Sequence, residues 1–247
     1  MRHRLRTAGL GLLLILCGTT WLASPAAAQD PAPKDPGAPI RDAQHQFQRH
    51  VVSWREAKRQ NVVMQQRDYS CGAAALATLL RYYWDDRAVS EKQILVELDK
   101  MLTREEALDR IKNGLSLTDL RRAAVKLGYR ASMGRVEFAK LSKSLVPLVV
   151  GIKVDGYRHF VVYRGTDGQY VYVADPMRGN IRLPIADFVR NWQENAVLAV
   201  AKPGEGVRDV SPLTVRDEEK ELGELNHDVV EKTYLKTPAI TSVPPLR

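Results

Sequence analysis

The sequence predicts an α+β domain in which helices come first and an antiparallel sheet follows. Three observations carry this expectation. The stretch "CGAAALATLLRYYW" sets Leu76, Leu79, Leu80 and Tyr83 at i, i+3, i+4 and i+7, the spacing of one apolar helix face. "SEKQ" at Ser90 and "TREE" at Thr103 are capping-box patterns that open two more helices, and Gly114 is a natural stop. Further on, "LVPLVVGIKVD", "HFVVYRG" and "QYVYVADP" are rich in β-branched and aromatic residues, with the turn signal "TDG" between the last two.

The elements follow in chain order. The N-terminus "MRHRLRTAG" is basic, "LGLLLILCGTTWLA" is apolar, and Ala26-Ala27-Ala28 satisfies a small-x-small cleavage rule, so residues 1–28 are expected to be a secretory signal peptide. Gly18, Thr19 and Thr20 break the apolar run before it reaches the length of a membrane span. Leu16 stands where a lipidated Cys17 would need a small neighbour, so Cys17 is expected to leave with the signal. "QDPAPKDPGAPIRDAQ" is a Pro-rich polar linker over 29–49, expected to be extended or disordered. The domain proper is expected over 50–202. Within it "SLTDLRRAAVKLGY" is a helix with Leu117, Leu120 and Ala124 facing inward and Gly128 ending it. "LVPLVVGIKVD" is a buried strand, "PIADFVRNW" a short helix and "AVLAVA" a last strand. From "KPGEGVRDVSPL" onward the chain turns polar, and 203–247 is expected to be a polar tail, disordered or alternatively a docking segment, with an exposed helix at "VRDEEKELGEL" and a loose end at "TPAITSVPPLR".

Cleavage after Ala28 leaves 219 of the 247 residues, enough for one domain with a real core. The net charge of +8 falls to +5 when Arg2, Arg4 and Arg6 leave with the signal. No Lys/Arg stripe is clustered enough to point to a nucleic-acid partner. No second apolar run is long enough to cross a bilayer, so no stable membrane span is expected after cleavage, and the location implied is periplasmic or secreted.

Cys71 is then the single thiol of the mature chain, and an internal disulfide is impossible. A buried inert cysteine and a reactive one are equal bets from the count alone. The neighbourhood favours reactivity. Asp68 and Ser70 are candidate caps, which would place Cys71 in the first turn of a buried helix, where free N–H groups and the macrodipole favour an anion. A nucleophile needs a base. His45 and His50 lie in the polar "RDAQHQFQRH" and His227 in the charged tail, all expected to be solvated. His159 instead opens the strand "HFVVYRG", while Asp175 ends the strand "QYVYVADP" before Pro176. In a hairpin of this length the two lie side by side, so Asp175 can hold the imidazole as the third member of a triad does. A strand-end His and an Asp-Pro turn former are ordinary singly; with a helix-start cysteine they form a pattern.

"QQRDYSCGAAALATLL", "GYRHFVVYRG" and "VADP" together resemble the papain-like bacteriocin-processing peptidases that remove double-glycine leaders, and more closely their stand-alone secreted members, some linked to functional-amyloid export. The resemblance covers roughly residues 50–202. It implies a papain-like fold with Cys71 as nucleophile, His159 as base and Asp175 as its orienting partner. It also implies that Gln65, six residues before Cys71, donates to the oxyanion, and it matches the spacing of sixteen from His159 to Asp175. Gln66 reads as a surface or packing residue, and Gly72 as either access to the thiol or close helix packing. Without a P-loop the chain cannot power transport itself, and a signal peptide places it beyond the cytosolic step at which exporter-linked members act. An exported polypeptide, such as an amyloid subunit or secretion partner, is therefore the expected substrate. Two other classes compete: a non-catalytic recognition module, against which the presence of all four residues argues, and a Cys/His/Asp metal site, which lacks the closely spaced ligand pairs zinc sites use. No cofactor and no metal are expected.

Overall fold

The computed structural model describes residues 38–41, 46–49, 53–154, 156–217 and 219–220. The expected signal peptide, Cys17, His45, His50, His227 and the chain beyond residue 220 lie outside the described residues. The backbone divides into two units, Met1–Val51 and Val52–Arg247. In the first, β1 (Ala38–Arg41) pairs antiparallel with β2 (Gln46–Arg49), Ile40 opposite Phe47. These β-forming residues give part of the expected linker a paired strand structure instead.

In the second unit five helices precede the sheet. They are α1 (Trp54–Arg59), α2 (Cys71–Tyr82), α3 (Glu91–Asp99), α4 (Arg104–Asn113) and α5 (Leu117–Lys126). Capping defines their starts. Thr103 and Glu106 exchange side-chain-to-backbone bonds, as do Ser53 with Glu56 and Ser116 with Asp119, while Ser90 accepts from the Gln93 N–H. Gly128, at φ +90°, closes α5 as expected. Helix α2 is buried from Cys71 to Leu80 on every side. Its alanines let neighbours approach from all directions, so the helix expected to be buried is the centre of the core.

The sheet is antiparallel throughout, in the order β3-β8-β4-β5-β6-β7. Its strands are β3 (Arg130–Arg135), β4 (Leu148–Val154), β5 (Tyr157–Thr166), β6 (Tyr170–Asp175), β7 (Gly179–Pro184) and β8 (Trp192–Ala201). Two short helices, α6 (Phe138–Leu141) and α7 (Ile185–Asn191), complete the unit. One apolar cluster joins α2, α3 and α5 to Val149, Phe160, Val162 and Ala174; the other joins Phe188 and Trp192 to Val150, Val161, Tyr163 and Val173. The sheet is thus packed on both faces, by helices from the two ends of the chain.

Two glycines are required by close approach. A Cβ on Gly72 would sit 3.1 Å from Leu120 Cδ2 and 3.1 Å from Phe160 Cδ2, which decides between the two expectations in favour of close packing. Gly179 has φ +81°, and a Cβ there would overlap the backbone carbonyl of Lys58. Side-chain tips can yield; the helix carbonyl facing Gly179 cannot, and the left-handed backbone of Gly179 itself disfavours a side chain. Gly179→Ala is therefore expected to lower the urea-unfolding free energy by about 3 kcal/mol and Gly72→Ala by about half of that. The reverse ranking in urea melts would show that the β6–β7 turn is not held against α1.

Candidate active site

Cys71 is the first residue of α2. Because α2 runs through the core, its N-terminus emerges at the core margin, and the thiol residue is only 5% exposed. Ser70 occupies the N-cap position but makes no side-chain cap, and Asp68 makes none either, which corrects the expectation for both. The Ser70 hydroxyl turns back instead, donating to the Arg67 carbonyl at 2.8 Å and accepting from the Arg67 N–H at 3.2 Å. The first-turn amides of α2 keep no serine or aspartate oxygen of their own, and they face whatever oxygen approaches Cys71.

His159 enters from β5, where it stands opposite Ile152 of β4. Asp175 is the last residue of β6, and β5 pairs with β6 with Val162 opposite Ala174. Continuing that register puts Asp175 opposite Val161 and makes His159 its diagonal neighbour on the same face. The His159 Nε2 to Asp175 Oδ1 distance is 2.8 Å, with Asp175 wholly buried and His159 6% exposed. With Nε2 engaged by the carboxylate, the imidazole is also near enough to Cys71 for the thiol to raise its pKa. Cys71, His159 and Asp175, separated by as many as 104 positions in the sequence, form one line.

The electrostatics follow from this line. Burial by itself would depress the imidazole pKa, but the hydrogen bonds to Asp175 and Cys71, with the charges of both, outweigh it and raise His159 to about 9. Burial would likewise push Asp175 up, yet the His159 hydrogen bond and charge, the Arg178 guanidinium and the Met177 N–H hold it at about 2. His159 therefore contributes stability fully present below its ordinary value of 6.5 and lost as pH rises through about 9. The Asp175 contribution is present above 3.8 and is lost as pH falls through about 2.

Gln65 lies on the irregular stretch before α2, held by its backbone. Its N–H donates to the Pro176 carbonyl at 2.9 Å, tying it to the residue after Asp175. Its Nε2 donates to the Arg67 carbonyl at 3.1 Å, which orients the amide and leaves the second Nε2 hydrogen for a ligand oxygen. Gln66 is exposed, as expected of a surface residue.

Two supporting residues were not legible in the sequence. Arg178 Nε donates to Asp175 Oδ2 at 2.7 Å, while the N–H groups of Met177 and Arg178 donate to Oδ1 at 2.7 and 3.1 Å. The buried carboxylate of Glu91, at the start of α3, accepts from the Gln66 N–H at 3.0 and 3.2 Å. An arginine two residues past an Asp-Pro pair was the available signal for the first; an acid at a helix start was a weaker one for the second. Among the described residues no group of three or more His, Cys, Asp or Glu side chains is placed to hold a metal ion.

Residues 59–204 match the Peptidase C39 family. Over 214 residues the chain is 38% identical to the "Probable functional amyloid protease FapD" of Pseudomonas fluorescens, covering 85% of this chain and 84% of that relative. The protein of the same description from Pseudomonas aeruginosa is 35% identical over 213 residues, with the same coverage. Among solved structures, the chain is similar to a double glycine motif protease from an AMS/PCAT transporter in complex with the leader peptide. That likeness has a TM-score of 0.47 and 28% identity, and covers 57% of this chain and 90% of the other. A match running from residue 59 to residue 204 takes in more than half the chain, and with it the protein belongs to the peptidase C39 family and is a cysteine peptidase.

Proposed function

We propose that the protein is a secreted or periplasmic cysteine endopeptidase that cleaves an exported polypeptide in the service of a functional-amyloid export system. The observation that carries the catalytic part is a single buried imidazole that is bonded to Asp175 and raised in pKa by Asp175 and Cys71 together. Support for the setting comes from the signal-like residues 1–28 ahead of a domain over 50–202, and from the two relatives described as functional amyloid proteases. Among the described residues no helix is long and apolar enough to cross a membrane.

The chemistry runs through this chain's own groups. The Cys71 proton passes to His159, the thiolate attacks the peptide carbonyl carbon, and the carbonyl π electrons move to oxygen. That oxygen is met by the free Nε2 hydrogen of Gln65 and the Cys71 N–H. His159 then gives its proton to the leaving amine, and water, deprotonated by the same imidazole, releases the acyl group from sulfur. Asp175 keeps Nε2 occupied throughout, so the ring cannot turn away from the thiol. Raising the imidazole pKa makes the charged ring a persistent partner for a thiolate.

Cys71→Ala is expected to abolish processing, and Gln65→Ala to lower turnover by about 10²–10³ because the backbone donor survives. Comparing envelope-fraction proteomes of the parent and Cys71→Ala strains reads both activity and substrate; identical cleavage products in the two would refute the assignment. The pH profile of kcat/KM is expected to fall on its alkaline side near pH 9, where His159 loses its proton, and Asp175→Asn is expected to move that fall to lower pH. An alkaline limb that stays in place in Asp175→Asn would show that the carboxylate does not set the imidazole's basicity.

A further inference from the structure

The family match ends at residue 204, yet the chain beyond it is fastened to the domain. For its first part this favours a docking segment over a disordered tail. Leu213 is 2% exposed and belongs to the same apolar cluster as α2. Val215 lies over Gly165 of β5, where an added Cβ would stand 3.5 Å from its Cγ2. The fastening point is Arg164 of β5, whose side chain is 3% exposed. Its Nε donates to the Leu213 carbonyl at 2.8 Å and its Nη2 to the Thr214 carbonyl at 3.2 Å. Nη1 and Nη2 donate to the two carboxylate oxygens of Glu219 at 2.7 and 2.8 Å. A buried guanidinium left without its carboxylate is costly, so this latch is held closed by the cation beneath it.

The latch leads to the active site by two routes. Arg164 Nη1 also donates to Asn180 Oδ1 at 2.8 Å, and Asn180 Nδ2 donates to the Gln60 carbonyl at 2.7 Å. Directly, Asn61 Nδ2 donates to the Pro212 carbonyl at 3.1 Å, with Asn61 itself in the left-handed region at φ +59°. Both routes end four or five residues before Gln65. The stretch 60–66 has no helix or strand of its own and takes its shape from such anchors: these two, the Val63 N–H on Thr78 Oγ1 at 2.9 Å, the Gln65 N–H on Pro176 and the Gln66 N–H on Glu91.

We propose that residues 211–219 are a positioning strap which, latched on Arg164 and Asn61, sets the Gln65 side of the cleft, so that stabilisation of the oxyanion depends on chain beyond the family-matched stretch. This rests on the reading of Gln65 as an oxyanion donor. The strap residues touch no reacting atom and act through residues 60–65.

Two probes separate positioning from general support, applied to the full chain. Acetyl-glycyl-glycinal is a peptide aldehyde: sulfur adds to its carbonyl carbon and the oxygen, protonated or not, occupies the oxyanion site. Iodoacetamide alkylates the thiolate by displacing iodide and needs no oxyanion donor. Glu219→Gln and Leu213→Ala are each expected to weaken aldehyde inhibition about tenfold or more, toward the loss expected for Gln65→Ala. The iodoacetamide rate on Cys71 and its pH profile are expected to change less than twofold, and Glu219→Asp to recover part of the inhibition. Unchanged aldehyde inhibition in both strap variants, with Gln65→Ala weakened, overturns the strap and leaves the oxyanion reading intact. Unchanged inhibition in Gln65→Ala overturns that reading and the strap with it. A parallel loss of both probes, tracking a lowered melting temperature, shows a merely structural role and also overturns the proposal.

Discussion

A carboxylate wholly removed from water constrains everything around it. Asp175 has no solvent to satisfy its oxygens, so the chain must supply donors, and it does so with the His159 ring, two backbone N–H groups and the Arg178 guanidinium. Leaving such a charge unpaired would cost several kcal/mol. The tight turn from β6 into β7 is the shape that brings Met177 and Arg178 within reach. Gly179 at positive φ is what lets that turn close against the end of α1. Catalytic geometry and local folding are one problem here, because the bonds that make the carboxylate tolerable also fix the ring that faces the thiol.

The same economy of anchoring recurs on the other wall of the cleft. The stretch carrying Gln65 is held by the Pro176 carbonyl on one side and by buried Glu91 on the other. The bond to Pro176 crosses directly from the Gln65 stretch to the Asp175 turn, so displacement of either is felt by the other. Neither stretch is a regular element, and each is rigid because its backbone groups are individually committed.

What was legible in the sequence was whatever depended on neighbours close in the chain. The hairpin of β5 and β6 declared itself through its β-branched and aromatic residues and the "TDG" turn, where Asp167 Oδ1 accepts from the Gln169 and Tyr170 N–H groups. Helices α3, α4 and α5 were marked by Ser90, Thr103 and Ser116, whose caps reach only three residues ahead. What was hidden depended on distant partners. Strand β3 is mostly exposed and shows no buried alternation; only pairing with β8 makes it a strand. Strand β7 begins with Gly and ends with Pro, both of which argue against a strand when read locally. Leu213 lies in the mixed stretch "DVSPLTVR", and nothing local reveals that it, rather than Val210 or Val215, is the residue buried in the core beside Arg164. Cys71 and Asp175 were conspicuous in the sequence because each sits at an element boundary, the first residue of α2 and the last of β6. Arg178 and Glu91 were missed because their roles are set by what they touch.

The refusal of Ser70 to cap α2 has a thermodynamic meaning. An N-cap side chain is worth about 1 kcal/mol to a helix, and this helix, sheltered at the centre of the core, forgoes it. A hydroxyl parked over those amides would compete with any incoming oxygen and would have to be displaced at each turnover. By folding that hydroxyl onto Arg67, the protein accepts a slightly weaker helix end in its resting state and keeps a standing, already oriented field of donors. Part of the work of stabilising negative charge is thereby done when the chain folds rather than when substrate arrives.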